Sequence, residues 1–214
     1  MRKLFAGALL LSASLFSASS ASAATVLTFE GAGDVTPVGG FYNGGASVVG
    51  NAGTNYGIQF SDNAYSLIDK SAGGSGRQAN DPSGVTTLYF NSGNATTMNV
   101  AAGFTKALSF YYAATEAGSV TIYDGLNGTG NVLATLDLSA NLTHAPFNAW
   151  SLASVNFSGD ARSVAFGGNA AYIAFDNISL GAVPEVSTWA MMILGVGLAG
   201  AAMRRRKISV SYSA

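Results

Sequence analysis

Apolar and polar residues alternate at period two through most of the interior of this chain, the pattern of strands with one buried face. Residues 25–30 (TVLTFE) alternate and stop at Gly31, so they read as a first strand, and residues 56–61 (YGIQFS) read as another. From residue 86 the apolar strings follow one another quickly, at 86–90, 96–101, 107–113, 119–123, 132–138, 150–157, 162–167 and 172–180. Between them, residues 31–53 are glycine-rich and predict a long loop with a short strand near 47–49, and residues 69–83 are loop-like. No interior stretch sustains a 3.6-residue period. Many short strands, glycine turns and no helices predict an all-β antiparallel sandwich, with a jelly roll of two packed sheets as the first choice.

The two ends break this pattern. Arg2 and Lys3 precede an apolar run from Leu4 to Phe16, and Ala21-Ser22-Ala23 is a small-residue cleavage pattern, so residues 1–23 read as a signal peptide with the exported chain starting at Ala24. At the other end nothing is charged from Ser187 to Met203. A helix over 187–203 spans roughly 26 Å, enough for a thin hydrocarbon layer. Trp189 sits at one end of this span, and Arg204, Arg205, Arg206 and Lys207 at the other. That arrangement predicts a single anchor with its basic end cytoplasmic, a cytoplasmic tail at 208–214 and the preceding domain, 24–182, outside. Gly195, Gly197 and Gly200 also suit a helix-dimerising face, but no polar partner accompanies them.

Pro184-Glu185, then Trp189-Ala190, a small-residue apolar helix and a terminal Arg cluster together resemble the PEP-CTERM sorting signal of Gram-negative bacteria. The resemblance spans 183–207, and Val186 stands where the family name has a second proline. It implies export, a transient hold in the inner membrane, and cleavage near Pro184-Glu185 by a membrane protease, exosortase. The mature form is then expected at the cell surface or in the extracellular matrix. A plain single-span anchor with an accidental Pro-Glu pair is the competing account.

With the targeting ends set aside, the charge balance changes. Between Ala24 and Ala182 four cations, Lys70, Arg77, Lys106 and Arg162, face two glutamates and eight aspartates. Such an acidic surface excludes nucleic acid as a partner. Cysteine is absent, so stability comes from core burial, with a bound ion as an addition.

Catalytic chemistry finds few carriers. The single histidine, His144, has no Gly-X-Ser-X-Gly nucleophile beside it and cannot assemble a zinc site without cysteines, so it reads as a surface loop residue. Gly125, Gly128 and Gly130 precede a strand rather than a helix, which predicts a hairpin turn and no phosphate cradle. The expectation is therefore a noncatalytic binding or structural protein, with a carbohydrate-active hydrolase using two carboxylates as the alternative.

Glu30 closes the first predicted strand and Asp176 lies in the last, and the end strands of a jelly roll lie close together. Two extracellular carboxylates with loop carbonyls make a calcium site; the same acids read equally as strand-end residues facing solvent. The stretches Thr-Phe-Glu30-Gly and Phe-Asp176-Asn-Ile-Ser-Leu also resemble those of jelly-roll carbohydrate-binding modules. That resemblance implies a structural calcium near these ends and a polysaccharide partner. For ligand stacking, the loop aromatics Phe41, Tyr42 and Tyr56 are preferred over Tyr111, Tyr112 and Trp150, which fall in predicted strands.

Overall fold

The computed structural model describes residues 24–181. The signal peptide, the sorting segment and the apolar span expected at 187–203 lie outside the described residues, and within them no helix is long and apolar enough to cross a membrane.

The described residues form twelve strands: β1 (Thr25–Leu27), β2 (Thr36–Pro37), β3 (Ile58–Phe60), β4 (Ala64–Ile68), β5 (Thr86–Phe90), β6 (Ala95–Phe104), β7 (Ala107–Ala114), β8 (Gly118–Tyr123), β9 (Val132–Leu138), β10 (Ser151–Asn156), β11 (Ala161–Gly167) and β12 (Ile173–Leu180). They form two antiparallel sheets. One runs β10-β7-β12-β5-β4-β2, with β1 also on β12; the other runs β3-β6-β11-β8-β9. From β5 onward the chain alternates between sheets except at the β8–β9 hairpin. The order β5, β12, β7, β10 facing β6, β11, β8, β9 is that of a jelly roll. These eight strands are the eight that period-two patterning predicts from residue 86 on.

The earlier part of the chain departs from the expectation. The first strand ends at Leu27, because Phe29 takes a left-handed φ of 61° and turns the chain, with the Ala32 N–H donating to the Phe29 carbonyl. Residues 47–49 form no strand. A single bridge between Ala46 and Ala52 closes a tip that leaves Val48 and Val49 in solvent. The β4 strand, by contrast, is missed by patterning. Its core-facing Ser66 interrupts the apolar alternation, and its hydroxyl satisfies itself by donating to the Thr36 carbonyl.

Aromatic rings join the sheets. Phe110 and Phe175 from the larger sheet meet Phe166 from the smaller, with ring centroids 5.9 and 4.9 Å apart and edge-on geometry. A second aromatic group lies under the glycine-rich segment, where Tyr42 packs edge-on against Phe29 at 5.7 Å. The Tyr42 hydroxyl accepts the Phe29 N–H at 2.6 Å, so the ring belongs to the core and its phenol, deprived of water, is pushed well above its ordinary range. Tyr42→Phe leaves the Phe29 N–H buried without a partner and is expected to cost about 1–3 kcal/mol. Urea unfolding measures it, and a lower midpoint at unchanged slope is the expected result.

Candidate functional site

The acids nominated from the sequence meet at a gap in the larger sheet. One edge of β12 is shared end to end: Ala174 and Phe175 pair with Tyr89 and Leu88 of β5, and further along Ile178, Ser179 and Leu180 pair with Leu27, Val26 and Thr25 of β1. Between the two partners β12 bulges at Asp176, with Asn177 at a left-handed φ of 50°. Amides in this gap have no ladder carbonyl to donate to, and the carboxylates supply the acceptors.

Asp176 accepts from the Ser83 N–H at 2.9 Å, the Ser83 hydroxyl at 3.0 Å and the Asn177 N–H at 2.7 Å. Glu30 accepts from the N–H groups of Val85 at 2.9 Å and Thr86 at 2.7 Å, both on one oxygen. The first and last strands thus bring Glu30 and Asp176 onto one short loop, 83–86. Gly84, at a φ of 52°, lies against the Glu30 side chain, where a Cβ would run into the carboxylate. The two acids act first as acceptors for stranded backbone donors.

Asp81 is the group that sequence reading did not single out. Both of its carboxylate oxygens are buried without a hydrogen-bond partner. Loss of hydration, with Asp69 and Glu30 nearby, pushes this carboxyl up to about 6. Burial pushes Asp176 up to about 7, against the donors of Asn177 and Ser83 that pull it down. Only the folded arrangement exposes this signal, since in the sequence Asp81 is one aspartate of eight in a loop.

Among the described residues no three His, Cys, Asp or Glu side chains converge as metal donors. A hard cation here would therefore be held by carboxylates two at a time, with hydroxyl or carbonyl oxygens completing its shell. The unpartnered Asp81 oxygens suit that chemistry.

The remaining nominees fall elsewhere. Phe41 and Tyr42 are not exposed loop aromatics: both lie within the core. Tyr56 keeps an exposed face and stacks on Tyr42 at 6.1 Å. Trp150 is half-buried, its indole N–H donating to the Ala79 carbonyl at 3.1 Å. His144 is exposed in its loop, and the Gly125–Gly130 segment is the β8–β9 hairpin, folded back so that the Asn127 N–H donates to the Asn99 side chain. Pro184, Glu185, Trp189, Arg204, Arg205, Arg206, Ala21 and Ala23 lie outside the described residues, and Ala24 is the first described.

Residues 182–207 match the PEP-CTERM protein-sorting motif. The chain carries that sorting signal. It begins immediately after Gly181, one residue past the end of β12. No curated protein matches the chain. Similar solved structures include a family 29 carbohydrate-binding module mutant, 11% identical, covering 74% of this chain and 91% of its own at a TM-score of 0.41. Another is CsCBM6-3 from Clostridium stercorarium in complex with cellobiose, 14% identical over 48% of this chain and 78% of its own, TM-score 0.36. A third is the K3 adhesin domain of Lys-gingipain from Porphyromonas gingivalis, 13% identical over 57% and 93%, TM-score 0.34. Likeness at this level carries no functional argument; the fold assignment rests on the strand order itself.

Because both buried carboxyls bind a proton more tightly folded than unfolded, they favour the fold fully below about pH 4, and that contribution is lost as pH rises through about 6 and 7. In chelator, the melting temperature of the full chain is expected to fall between pH 5 and pH 8, and Asp81→Asn to flatten the trend. Thermal scans across that range check it; a melting temperature that climbs with pH contradicts the assignment.

Proposed function

We propose that this protein is a noncatalytic binding or structural component, delivered through its PEP-CTERM signal to the cell surface or extracellular matrix, where it associates with polysaccharide. The observation that carries the reading is the position of the sorting motif directly behind a completed jelly roll, so that cleavage near Pro184-Glu185 releases the sandwich whole. An exosortase-type protease and the inner membrane are the partners of this route. The acidic surface of residues 24–181 supports a partner other than nucleic acid.

The hydrolase alternative finds less support. It needs one acid free to protonate a glycosidic oxygen and another poised across the bond. Asp176 is fully buried with its oxygens taken, and Glu30 is committed to Val85 and Thr86. Replacing Pro184 and Glu185 by alanine tests the route: the protein should stay in the membrane fraction, since the apolar span remains while the recognition pair is gone. Release at the wild-type rate rejects exosortase sorting.

A calcium ion at the junction is the second element of the reading. Asp176, with either Glu30 or the unpartnered Asp81, would hold it two carboxylates at a time, and the ion would neutralise carboxylates that repel one another when charged. Linkage then requires calcium to stabilise the full chain by about 2.7 kcal/mol at a concentration one hundredfold above its dissociation constant. Melting at pH 8 in calcium against chelator reads this directly, and Asp81→Asn and Asp176→Asn are each expected to remove most of the difference. A melting temperature indifferent to calcium leaves these acids as acceptors for backbone donors alone.

A further inference from the structure

Strand register fixes which end of the sandwich adjoins the sorting signal. β12 stops at Leu180, which pairs with Leu108 near the start of β7 and with Thr25 of β1, and the Gly181 N–H donates to the Ala107 carbonyl at 3.2 Å. The chain therefore leaves beside the β6–β7 turn, at the Phe104 end of β6, and Ala24 enters at the same place. Only residues 182–186 separate Gly181 from the uncharged run that begins at Ser187, a reach of roughly 18 Å at most. A precursor anchored by that run keeps this end of the sandwich close to the bilayer.

A glycine-rich ribbon runs toward the same end. β3 pairs antiparallel with β6, Ile58 opposite Val100 and Phe60 opposite Met98, so the residues before Ile58 head toward Phe104. Residues 39–42 lie along β3, the Phe60 N–H donating to the Gly39 carbonyl and the Ile58 N–H to that of Tyr42. Bridges between Asn43 and Asn55 and between Ala46 and Ala52 carry the ribbon on to a turn at 47–50. The Gly50 N–H closes this turn by donating to the Ser47 carbonyl at 2.9 Å, with Gly50 at a φ of 86°. The Ser47 N–H donates to the Asn51 carbonyl at 2.8 Å, and the Asn51 side chain donates to the Gly31 carbonyl at 3.0 Å, so the turn is tied to the body of the domain.

The two central residues of the turn are Val48 and Val49, 76% and 62% exposed. Phe41 and Tyr42, at the base of the ribbon, belong to the core, so the fold uses the base and leaves the tip in water. A single exposed valine needs no explanation. Two adjacent ones at the apex of a fixed turn, where glycine, asparagine or aspartate is the usual choice, form an apolar prong, and residues 35–61 around it carry no charge.

Charge sets the orientation. The strand ends and turns at the exit end hold Lys106 and Arg162 with Asp124 and Asp160, whose charges cancel, whereas the opposite end presents Asp62 in the β3–β4 turn and Glu116 in the β7–β8 turn. Anionic lipid headgroups repel the acidic end and leave the neutral end free to approach.

We propose that Val48 and Val49 are a membrane-docking tip, which dips into the lipid interface beside the anchor while the sorting segment holds the precursor. Tether and tip together set the exit end of the sandwich on the bilayer and keep the Pro184-Glu185 stretch at the membrane surface, within reach of a membrane protease. The proposal rests on the membrane-held precursor of the sorting reading and adds to it a contact made by the folded domain itself.

The chain has no cysteine, so one introduced thiol takes a label cleanly. Full-length protein carrying Val49→Cys, or Ser92→Cys in the exposed β5–β6 turn at the opposite end, is labelled with a nitrobenzoxadiazole dye and reconstituted into vesicles of phosphatidylcholine and phosphatidylglycerol. Flotation reads whether the chain is held by the vesicles. Lipids with a nitroxide near the headgroup should quench the Val49→Cys label by more than about half and the Ser92→Cys label hardly at all, because an interfacial apolar group sits about 5–10 Å into the headgroup boundary. Adding Val48→Asp to the Val49→Cys chain should return the label to water and remove the quenching. A chain that floats while its Val49→Cys label is quenched no more than the Ser92→Cys label overturns the docking tip and leaves the sorting reading standing, and quenching that survives Val48→Asp does the same. A chain that does not float with the vesicles overturns the membrane-held precursor and the tip with it.

Discussion

The structure depends on how one edge of β12 is divided. A single long partner would pair every amide, but β5 and β1 take the edge in succession and leave a gap between them. Backbone donors buried without acceptors cost on the order of 1–3 kcal/mol each, so such a gap survives only when side chains close it. Asp176 and Glu30 do so, and in doing so they draw loop 83–86 onto the sheet. The Asp176 bulge and the left-handed Phe29 and Asn177 are the backbone consequences of the same division.

Closing amides with carboxylates brings negative charges together in a poorly hydrated place. Burial raises the proton affinity of Asp176 in spite of the donors it accepts, and that of Asp81, which accepts none. The junction is therefore both the fastening of the terminal strand and the place where buried carboxyls hold their protons most tightly. Beside it, Phe110 and Phe175 of the larger sheet and Phe166 of the smaller tie the sheets together through edge-on contacts.

The outer face of the larger sheet shows what local patterning leaves open. Alternation placed Tyr89 and Tyr172 in strands, and a strand aromatic reads as core or sheet surface with equal ease. Facing follows from the neighbours: Leu88 and Phe90 are inside, so Tyr89 is outside. The glycine-rich segment gave the reverse error. Glycines around Phe41 and Tyr42 suggested exposure, but the flexible backbone lets the chain wrap those rings into the core.

Sequence by itself determined the sorting motif, the all-β class and the eight strands of the jelly roll, because each is written in local order: a short motif beside an uncharged apolar run, and period-two alternation bounded by turn residues. It also paired Glu30 with Asp176, since a closed sandwich brings its first and last strands together. Tertiary structure alone decided that β4 exists despite its buried Ser66, that Asp81 lies beside the paired acids without a donor, and that Tyr65 and Tyr89 pair on the outer face of the larger sheet. Each of these depends on strand register and loop path, which arise from contacts between residues far apart in the chain and leave no trace in its local pattern.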